Sequence, residues 1–447
     1  MALKLPIRQM SAEGWWPNTY DVLVYQEGGH IYAKNRNGKV ICVDSQTACL
    51  QEAINHVTSG GLIFIKPGIY NIYKTVYIEQ QNSNITIMGS GRSTVLKSYK
   101  TGDPPYMLRL NWAKGVTLRD FAVDGNGIAY ENVRESLMSF NAPTDLSLIN
   151  LECFNTNTGA CIDIGYANLV HMEGLYLHDS GSVKKSDGIH VGFSKFVYLY
   201  NSHIENNSDA GIAFDNSQNV VVEDNFFFYN GAGNIMIWSM RSDVLGTIRT
   251  LIAGNHIAGK VGIWVGKEQN VTSVPESVHI VGNYIWDTDI GIRIDVGGVV
   301  QIVGNLIRRS TVAAIKTAGW FVDISNNVIT DSNVGIDSQS NTTHIRNNIF
   351  LVVNTPISGA YRVVDNNIPF YSPTVLNRNS GQATIPANST RVTVQHGLFA
   401  TPSKVLITPL GSPPGKLWVE NITATGFDIV TDTAPTADLR VAWYAEV

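Results

Sequence analysis

Between Ser186 and Gly192 the chain reads SDGIHVG, which sets an acid, Asp187, three residues before an imidazole, His190. Further aspartates, Asp163, Asp209 and Asp215, stand on either side. Two carboxyls, one protonated and one ionised, can break a glycosidic bond. At about 6.5–9.5 Å apart they invert the anomeric centre, and at about 5–5.5 Å they retain it. The candidate pairs are Asp187 with Asp209 and Asp163 with Asp215, with His190 as orienter, proton shuttle or tuner of a carboxyl. Taken singly, an aspartate before a glycine is as readily a turn former. The same groups allow elimination or epimerisation at a uronate, which needs a base and a positive charge to stabilise an enolate. His190 with Arg241 or Arg293 meets that need in outline. Asp163, Asp187, Asp209 and Asp215 could also supply oxygen ligands to Ca2+; no other cofactor is indicated.

What positions these residues is a repeat. The segments LSLINLECF, VHMEGLYLH, VYLYNSHIE, VVVEDNFFF, LIAGNHIAG, VHIVGNYIW, VQIVGNLIR, VDISNNVIT and THIRNNIFL share one pattern. Each is followed, after a variable loop, by a second short strand such as ACIDI, DGIHV, AGIAF, NIMIW, VGIWV, IGIRI, AAIKT or VGIDS. The steps between these second strands run from about 21 to about 29 residues. Regular strands with irregular loops predict stacked coils, about 4.8 Å apart, around one continuous core. Asn201, Asn225, Asn255, Asn283, Asn305, Asn327 and Asn348 recur at one position and are expected to form turns and a side-chain ladder.

Alternation along a strand then assigns faces. In DGIHV, Ile189 and Val191 point inward and His190 outward. The same outward column reads Asp163, His190, Ala213, Met236, Trp264, Arg293, Lys316 and Asp337. Two residues on, it reads Gly165, Gly192, Asp215, Trp238, Gly266, Asp295, Ala318 and Gln339. Trp238 and Trp264 are expected to stack on sugars, Arg293 and Lys316 to pair with carboxylates of an acidic glycan, and Arg241 and, on the preceding strand, His178 to join the binding residues.

Composition agrees with strands and excludes other classes. Charged residues are 15% of the 447 and glycine numbers 40, below and above ordinary usage. The net charge of −5 offers no basic stripe for nucleic acid. No apolar run reaches the ~18 residues of a membrane span, and the N-terminus lacks a signal-peptide core. The four cysteines, Cys42, Cys49, Cys153 and Cys161, show no CxxC and are expected to be free buried thiols.

Before the repeats, Asp44 or Ser45 is expected to cap a helix from Gln46 to Val57, followed by GGLIFIKPGIYNI and SNITIMGSGR. Helix, Gly-Gly strand, Pro-Gly turn and NITIxGxG together resemble the entry to the right-handed, pectin-lyase-like parallel β-helix superfamily. The resemblance implies an all-β, single-stranded right-handed parallel β-helix with an N-terminal capping helix. The expected divisions are a strand unit at 1–40 containing Trp15 and Trp16, the β-helix at 41–368, a linker at 369–380, and a C-terminal β-sandwich at 381–447 read from short alternating strands.

Against the pectic hydrolases of this superfamily, SDGI resembles their NTDG, SDAGI keeps one of two paired aspartates, GIRI is similar to their RIK, and no GHG is present. The sandwich resembles the terminal domains of phage tail proteins, which implies homotrimerisation, glycan binding, or both. The whole resembles bacteriophage tailspikes that depolymerise a host surface glycan. That implies a virion tail protein made without a signal peptide, acting outside the cell on a polysaccharide beside other tail proteins. A uronate lyase, a mannuronan-type C5-epimerase and a non-catalytic glycan-binding adhesin are the alternatives.

Overall fold

A computed structural model describes residues 19–447 except 59, 100–105, 129–135, 158, 182–185, 371–377 and 399. Trp15 and Trp16 therefore lie outside the described residues. The chain is an all-β, right-handed parallel β-helix, with a 16-stranded and a 22-stranded sheet wrapped around one core. Each strand pairs in parallel with the strand one coil later, as in Ile162–Gly165, Ile189–Gly192 and Ala210–Asp215. The larger sheet turns a corner, because the long strand His256–Lys267 pairs with Phe226–Phe228 through its first half and with Gly233–Ser239 through its second. Inward residues such as Ile162, Ile189, Ile212, Ile235, Ile263 and Ile292 form an apolar column fully shielded from water. Every such residue removes roughly 1.5–3 kcal/mol of apolar surface cost, so the core is additive along the axis.

The entry end is closed by the helix Leu50–His56, whose Leu50, Ala53 and Ile54 join the core. It starts later than the expected Gln46. The reason is local: Ala48 and Cys49 take left-handed backbone, and Ser45 Oγ accepts from the Cys49 N–H at 2.9 Å, so the chain turns before it can wind. Asp44 is not the cap, since it accepts from the Ile31 N–H and meets His30. The hairpin Val22–Glu27 and His30–Asn35 adds antiparallel strands to the 16-stranded sheet.

The cysteines correct the expectation of free thiols. Cys42 pairs with Cys49 and Cys153 with Cys161 in disulfides. Their loops are short, and the turns bring the Cα atoms within 5.6 and 5.9 Å, a separation that a bridge spans. A search for metal-type spacings cannot detect such pairs.

After Ile368–Phe370, which still pairs with Ile349–Leu351, a second unit begins. Arg378–Ile385, Leu439–Glu446 and Lys404–Pro409 make one antiparallel sheet, and Arg391–Gln395, Gly426–Thr431 and Leu417–Glu420 another, around Ile385, Phe427, Ile429, Val441 and Trp443. Arg378 already faces Glu446 in this sheet, three residues before the expected start at 381.

The asparagine ladder runs from Asn225 through Asn255, Asn283, Asn305, Asn327 and Asn348 to Asn367, all buried. Asn201 is not part of it. Ser202 holds that position, donating its N–H to Asn225 Oδ1 at 2.9 Å. The left-handed residue is the one before each ladder member: Asn201, Asp224, Gly254, Gly282, Gly304, Asn326, Asn347 and Asn366. The ladder amides themselves satisfy backbone: Asn283 Nδ2 donates to Ile252 O at 2.9 Å, and Asn283 Oδ1 accepts two bonds from Asn255.

Asn283→Ala would therefore orphan buried donors in Asn255 and a buried carbonyl at Ile252, and is expected to cost about 2–4 kcal/mol. Asn201→Gly keeps the left-handed turn and is expected to stay within about 0.5 kcal/mol of the parent. Chemical denaturation of both variants checks this. Equal losses would mean the ladder is ornamental.

Candidate functional site

Parallel register turns fixed sequence offsets into spatial columns. Asp163, His190, Ala213, Met236, Trp264, Arg293 and Lys316 stack in that order, one per coil, with Ser139 below Asp163 and Asp337 above Lys316. Beside them run Asn141, Gly165, Gly192, Asp215, Trp238 and Gly266.

His190 lies between two carboxylates. Its Nδ1 is 2.8 Å from Asp163 Oδ1 and its Nε2 is 2.8 Å from Asp215 Oδ2. Both ring nitrogens thus face acceptors, an arrangement suited to the doubly protonated imidazolium. Burial works against that charge, but the two carboxylates outweigh it and hold His190 well above its ordinary value of 6.5. Below Asp163 the polar chain continues: Ser139 Oγ donates to Asp163 Oδ2 at 3.5 Å, Arg109 Nη1 donates to Ser139, and Arg109 Nε donates to Asn111 Oδ1 at 3.0 Å.

Asp187 and Asp209 enter successive coils just before this sheet. The Ala210 N–H donates to Asp187 Oδ1 at 2.8 Å. Part of the Asp187 residue surface reaches solvent, yet its carboxyl is packed round by protein. Burial pushes it up to about 7; the charge of His190 and the Ala210 N–H oppose this, while Asp209 and Asp215 push the same way. The cluster therefore holds one carboxyl that carries a proton near neutrality beside others that serve as acceptors, the division of labour that acid–base chemistry needs.

The remaining sequence candidates separate. Trp238 and Trp264 meet edge to face with centroids 5.3 Å apart, and the Trp264 indole donates to Asp295 Oδ2 at 2.8 Å. Arg293 lies over Trp264 and donates to Asp295 Oδ1 at 2.8 Å, and Lys316 stands 3.9 Å from Asp337. Both cations expected to meet substrate carboxylates are thus already paired within the chain. By coil spacing Arg293 is also roughly 19 Å from His190, too far to share one reacting centre with it. Arg241 returns to the site edge, over Phe193 at 5.5 Å, while its guanidinium pairs with Asp243. His178 belongs to the neighbouring face, stacked on Phe154 and Tyr176 and bonded to Glu152 and Asp179.

The calcium option does not fit. Among the described residues no three His, Cys, Asp or Glu side chains are arranged to hold a metal ion, and Asp163 and Asp215 turn their oxygens to a cationic ring. No helix among the described residues is long and apolar enough to cross a membrane.

Two groups escaped the sequence reading. Ser139 and Arg109 extend the outward column below Asp163, where the coils had not been aligned. Tyr166 and Phe193 occupy the turn after the site strands, and their rings stack at 5.2 Å. Their signal was an aromatic in the same place after IDIG and IHVG.

Residues 119–322 match the family model described as periplasmic copper-binding protein (NosD). No curated protein matches the chain. Among solved structures, the A-module of the mannuronan C-5 epimerase AlgE6 of Azotobacter vinelandii is similar at 16% identity, over 74% of this chain and 96% of that chain, with a TM-score of 0.54. The tailspike gp61 of Pseudomonas phage phi297 is similar at 9% identity over 90% and 92%, with a TM-score of 0.57. DFA-IIIase of Arthrobacter chlorophenolicus A6, solved without its lid, is similar at 14% identity over 70% and 92%, with a TM-score of 0.54. At these identities the likeness is one of fold.

The Asp187 geometry has a thermodynamic signature. A carboxyl at about 7 when folded and at its ordinary 3.8 when unfolded binds more protons in the folded state between those values. Its contribution to stability is therefore present at low pH and lost as pH rises through that window. Asp187→Asn keeps an acceptor for the Ala210 N–H without the charge. Its stability relative to the parent is expected to grow between pH 3.8 and about 7 and then level off, as read from denaturation midpoints. A pH-independent difference would refute the shifted carboxyl.

Proposed function

We propose that this chain is a tailspike-like depolymerase that hydrolyses a surface glycan with carboxylate assistance, using the cluster around His190. The observation that carries this reading is the carboxyl of Asp187, pushed up to about 7 by burial and set beside Asp209 and the Asp163–His190–Asp215 bridge. In this reading Asp187 gives its proton to the glycosidic oxygen as the bond to the anomeric carbon breaks. Asp209 enters the next coil, and strand stacking of about 4.8 Å fits the shorter carboxyl separation, in which the second carboxylate attacks the anomeric carbon. Water then hydrolyses the glycosyl ester, with Asp187, now ionised, taking its proton. The His190 imidazolium holds Asp163 and Asp215 in place, oriented to bind sugar hydroxyls.

The same geometry disfavours proton abstraction by His190, since both ring nitrogens already face carboxylates. It also leaves Arg293 too distant to stabilise an enolate, and Arg241 at the site edge is held by Asp243. Copper binding, named in the NosD family description, receives no support from the donor set: the four cysteines are in disulfides and no three-ligand group is assembled among the described residues. A virion setting, a homotrimer and an extracellular site of action rest on the likeness to the phage tailspike along 90% of the chain. An acidic glycan is not required by this reading, since Arg241 at the site edge is paired with Asp243 just as Arg293 and Lys316 are paired with Asp295 and Asp337.

Release of reducing ends from a panel of bacterial capsule and cell-wall polysaccharides tests the proposal. Asp187→Asn and Asp209→Asn are each expected to lower kcat by about 10²–10⁴-fold. Wild-type kcat is expected to fall as pH rises above about 7, where Asp187 loses its proton. Binding without cleavage across the panel would make the chain an adhesin, and ultraviolet absorbance from unsaturated uronates would make it a lyase. Light scattering reads the trimer directly.

A further inference from the structure

Below Asp163 the outward column of the site face continues through Ser139, Arg109 and Tyr77, one per coil, and the column beside it through Asn141 and Asn111. The cations above and at the edge of the cluster each hold a carboxylate: Arg293 pairs with Asp295, Lys316 with Asp337 and Arg241 with Asp243. Arg109 differs, because among the described residues its partners are all uncharged. Asn111 Oδ1 accepts from its Nε at 3.0 Å, Ser139 Oγ accepts from its Nη1, and its guanidinium lies over the Tyr106 ring at 4.5 Å. Asn111 donates onward to Glu79 Oε1 at 3.0 Å, so that acid meets the arginine through an amide.

A guanidinium has five N–H donors, and two of these are spent. The second Nη1 proton and both on Nη2 remain, which is the end of the fork that matches the two oxygens of a carboxylate. The ring beneath and the two bonds fix the plane of a half-buried side chain, so little further ordering is needed to bind there. Asn141, also half-buried and one coil above Asn111, makes no side-chain hydrogen bond to a described residue and adds a second unspent donor. Support of Asp163 does not account for the arginine. It reaches that carboxylate only through Ser139 Oγ, 3.5 Å from Asp163 Oδ2, whereas His190 already holds the same group at 2.8 Å. A partly desolvated cation with neutral partners is left with charge to be met from outside the chain.

We propose that Arg109 and Asn141 form an anion subsite that takes the carboxylate of a hexuronate in the bound glycan, so that the substrate is a uronate-containing polysaccharide. This rests on the reading of the His190 cluster as a glycan-processing site and adds the charge of its substrate. Arg109 stands two coils from Asp163 and three from His190, roughly 10 and 14 Å along the axis, so a glycan laid along the face reaches the arginine a few sugar units from the reacting bond. The guanidinium end supplies charge-assisted hydrogen bonds to the carboxylate, with the Asn141 amide as a neutral donor beside it. A neutral sugar at that height would leave the arginine uncompensated, and the subsite thereby selects by charge.

The test is calorimetric binding of hexasaccharides of galacturonate, mannuronate and glucuronate, each as the free acid and as its methyl ester, which keeps the ring and removes the charge. The parent protein is expected to bind at least one acid about tenfold more tightly than its ester, with the gap narrowing as salt is added. For that acid, Arg109→Gln is expected to weaken binding about tenfold while leaving the ester as in the parent, and Arg109→Lys to recover part of the loss. Asn141→Ala is expected to cost about threefold, and Asn141→Asp more, because it sets a like charge beside the ligand. Arg346→Gln, which removes a cation paired with Asp323 on the 16-stranded sheet, is expected to bind as the parent does. Equal loss of acid and ester in Arg109→Gln would make Arg109 a structural prop and overturn the subsite. So would a parent that binds none of the acids, or binds acid and ester alike. If Asp187→Asn stops cleavage while Arg109→Gln binds and cleaves normally, the subsite is wrong and the enzymatic reading stands. If Arg109→Gln loses the acid alone but no polymer is ever cleaved, the subsite stands and the enzymatic reading falls.

Discussion

Coil-to-coil hydrogen bonding in parallel register is the constraint on which everything else here depends. Each backbone N–H and C=O along the strands finds its partner one coil away, so the inward and outward assignment of a residue is inherited by the residue stacked above it. Inward, this yields uninterrupted columns of Ile and Val. Outward, it produces rows in which side chains from separate stretches of sequence stand about 4.8 Å apart. The asparagine ladder is the same rule applied at a bend, where backbone groups that would otherwise be stranded are taken up by a side-chain amide repeated in every coil.

That spacing has an electrostatic consequence. Ionised carboxylates stacked at coil distance repel, and the repulsion must be relieved by a cation or a proton. The chain uses both. Around Asp163 and Asp215 the relief is the His190 ring inserted from the intervening coil. Higher on the same face, Arg293 serves Asp295 while covering Trp264, and Lys316 serves Asp337. Asp187 accepts from a backbone N–H, its surroundings are poorly solvated, and Asp209 and Asp215 add to the push. A proton is the remaining form of relief. The acid of the cluster is thereby distinguished by its burial, although it is the same residue type as its neighbours.

Alternation and repeat length were enough to read the architecture and the outward columns from Asp163 to Asp337, because both follow from strand geometry alone. What escaped the sequence lay where strand geometry stops. The helix begins at Leu50 rather than Gln46 because two left-handed residues intervene. Asn201 was mistaken for a ladder member because it looks like one in one dimension, whereas the ladder position is the next residue, Ser202. The disulfides needed a distance that no spacing rule supplies. Tyr166 and Phe193 were missed since a turn residue belongs to neither the inward nor the outward alternation. For the cluster itself, the sequence named Asp163, Asp187, His190, Asp209 and Asp215 together. It did not show that His190 is gripped from both sides, which turns a candidate base into a fixed cation.

That last distinction bears on how such a scaffold acquires chemistry. Every coil offers the same backbone, so nothing in the fold favours one height over another as a reaction centre. The chemistry is localised by breaking the uniformity of the rows: carboxylates in neighbouring coils, one histidine between two of them, and two successive glycines beside it where the adjoining coils carry Asn141 and Asp215. Above this level Trp238 and Trp264 fill the space over Gly266, and below it Asn111 and Asn141 continue the column. The open stretch is thus bounded along the axis by larger side chains, with the proton-holding acid at its strand entry and the aromatic pair at its strand exit. A group placed across the strands at that height lies beside the acid and the His190 bridge, whereas displacement by a coil or two in either direction removes it from both.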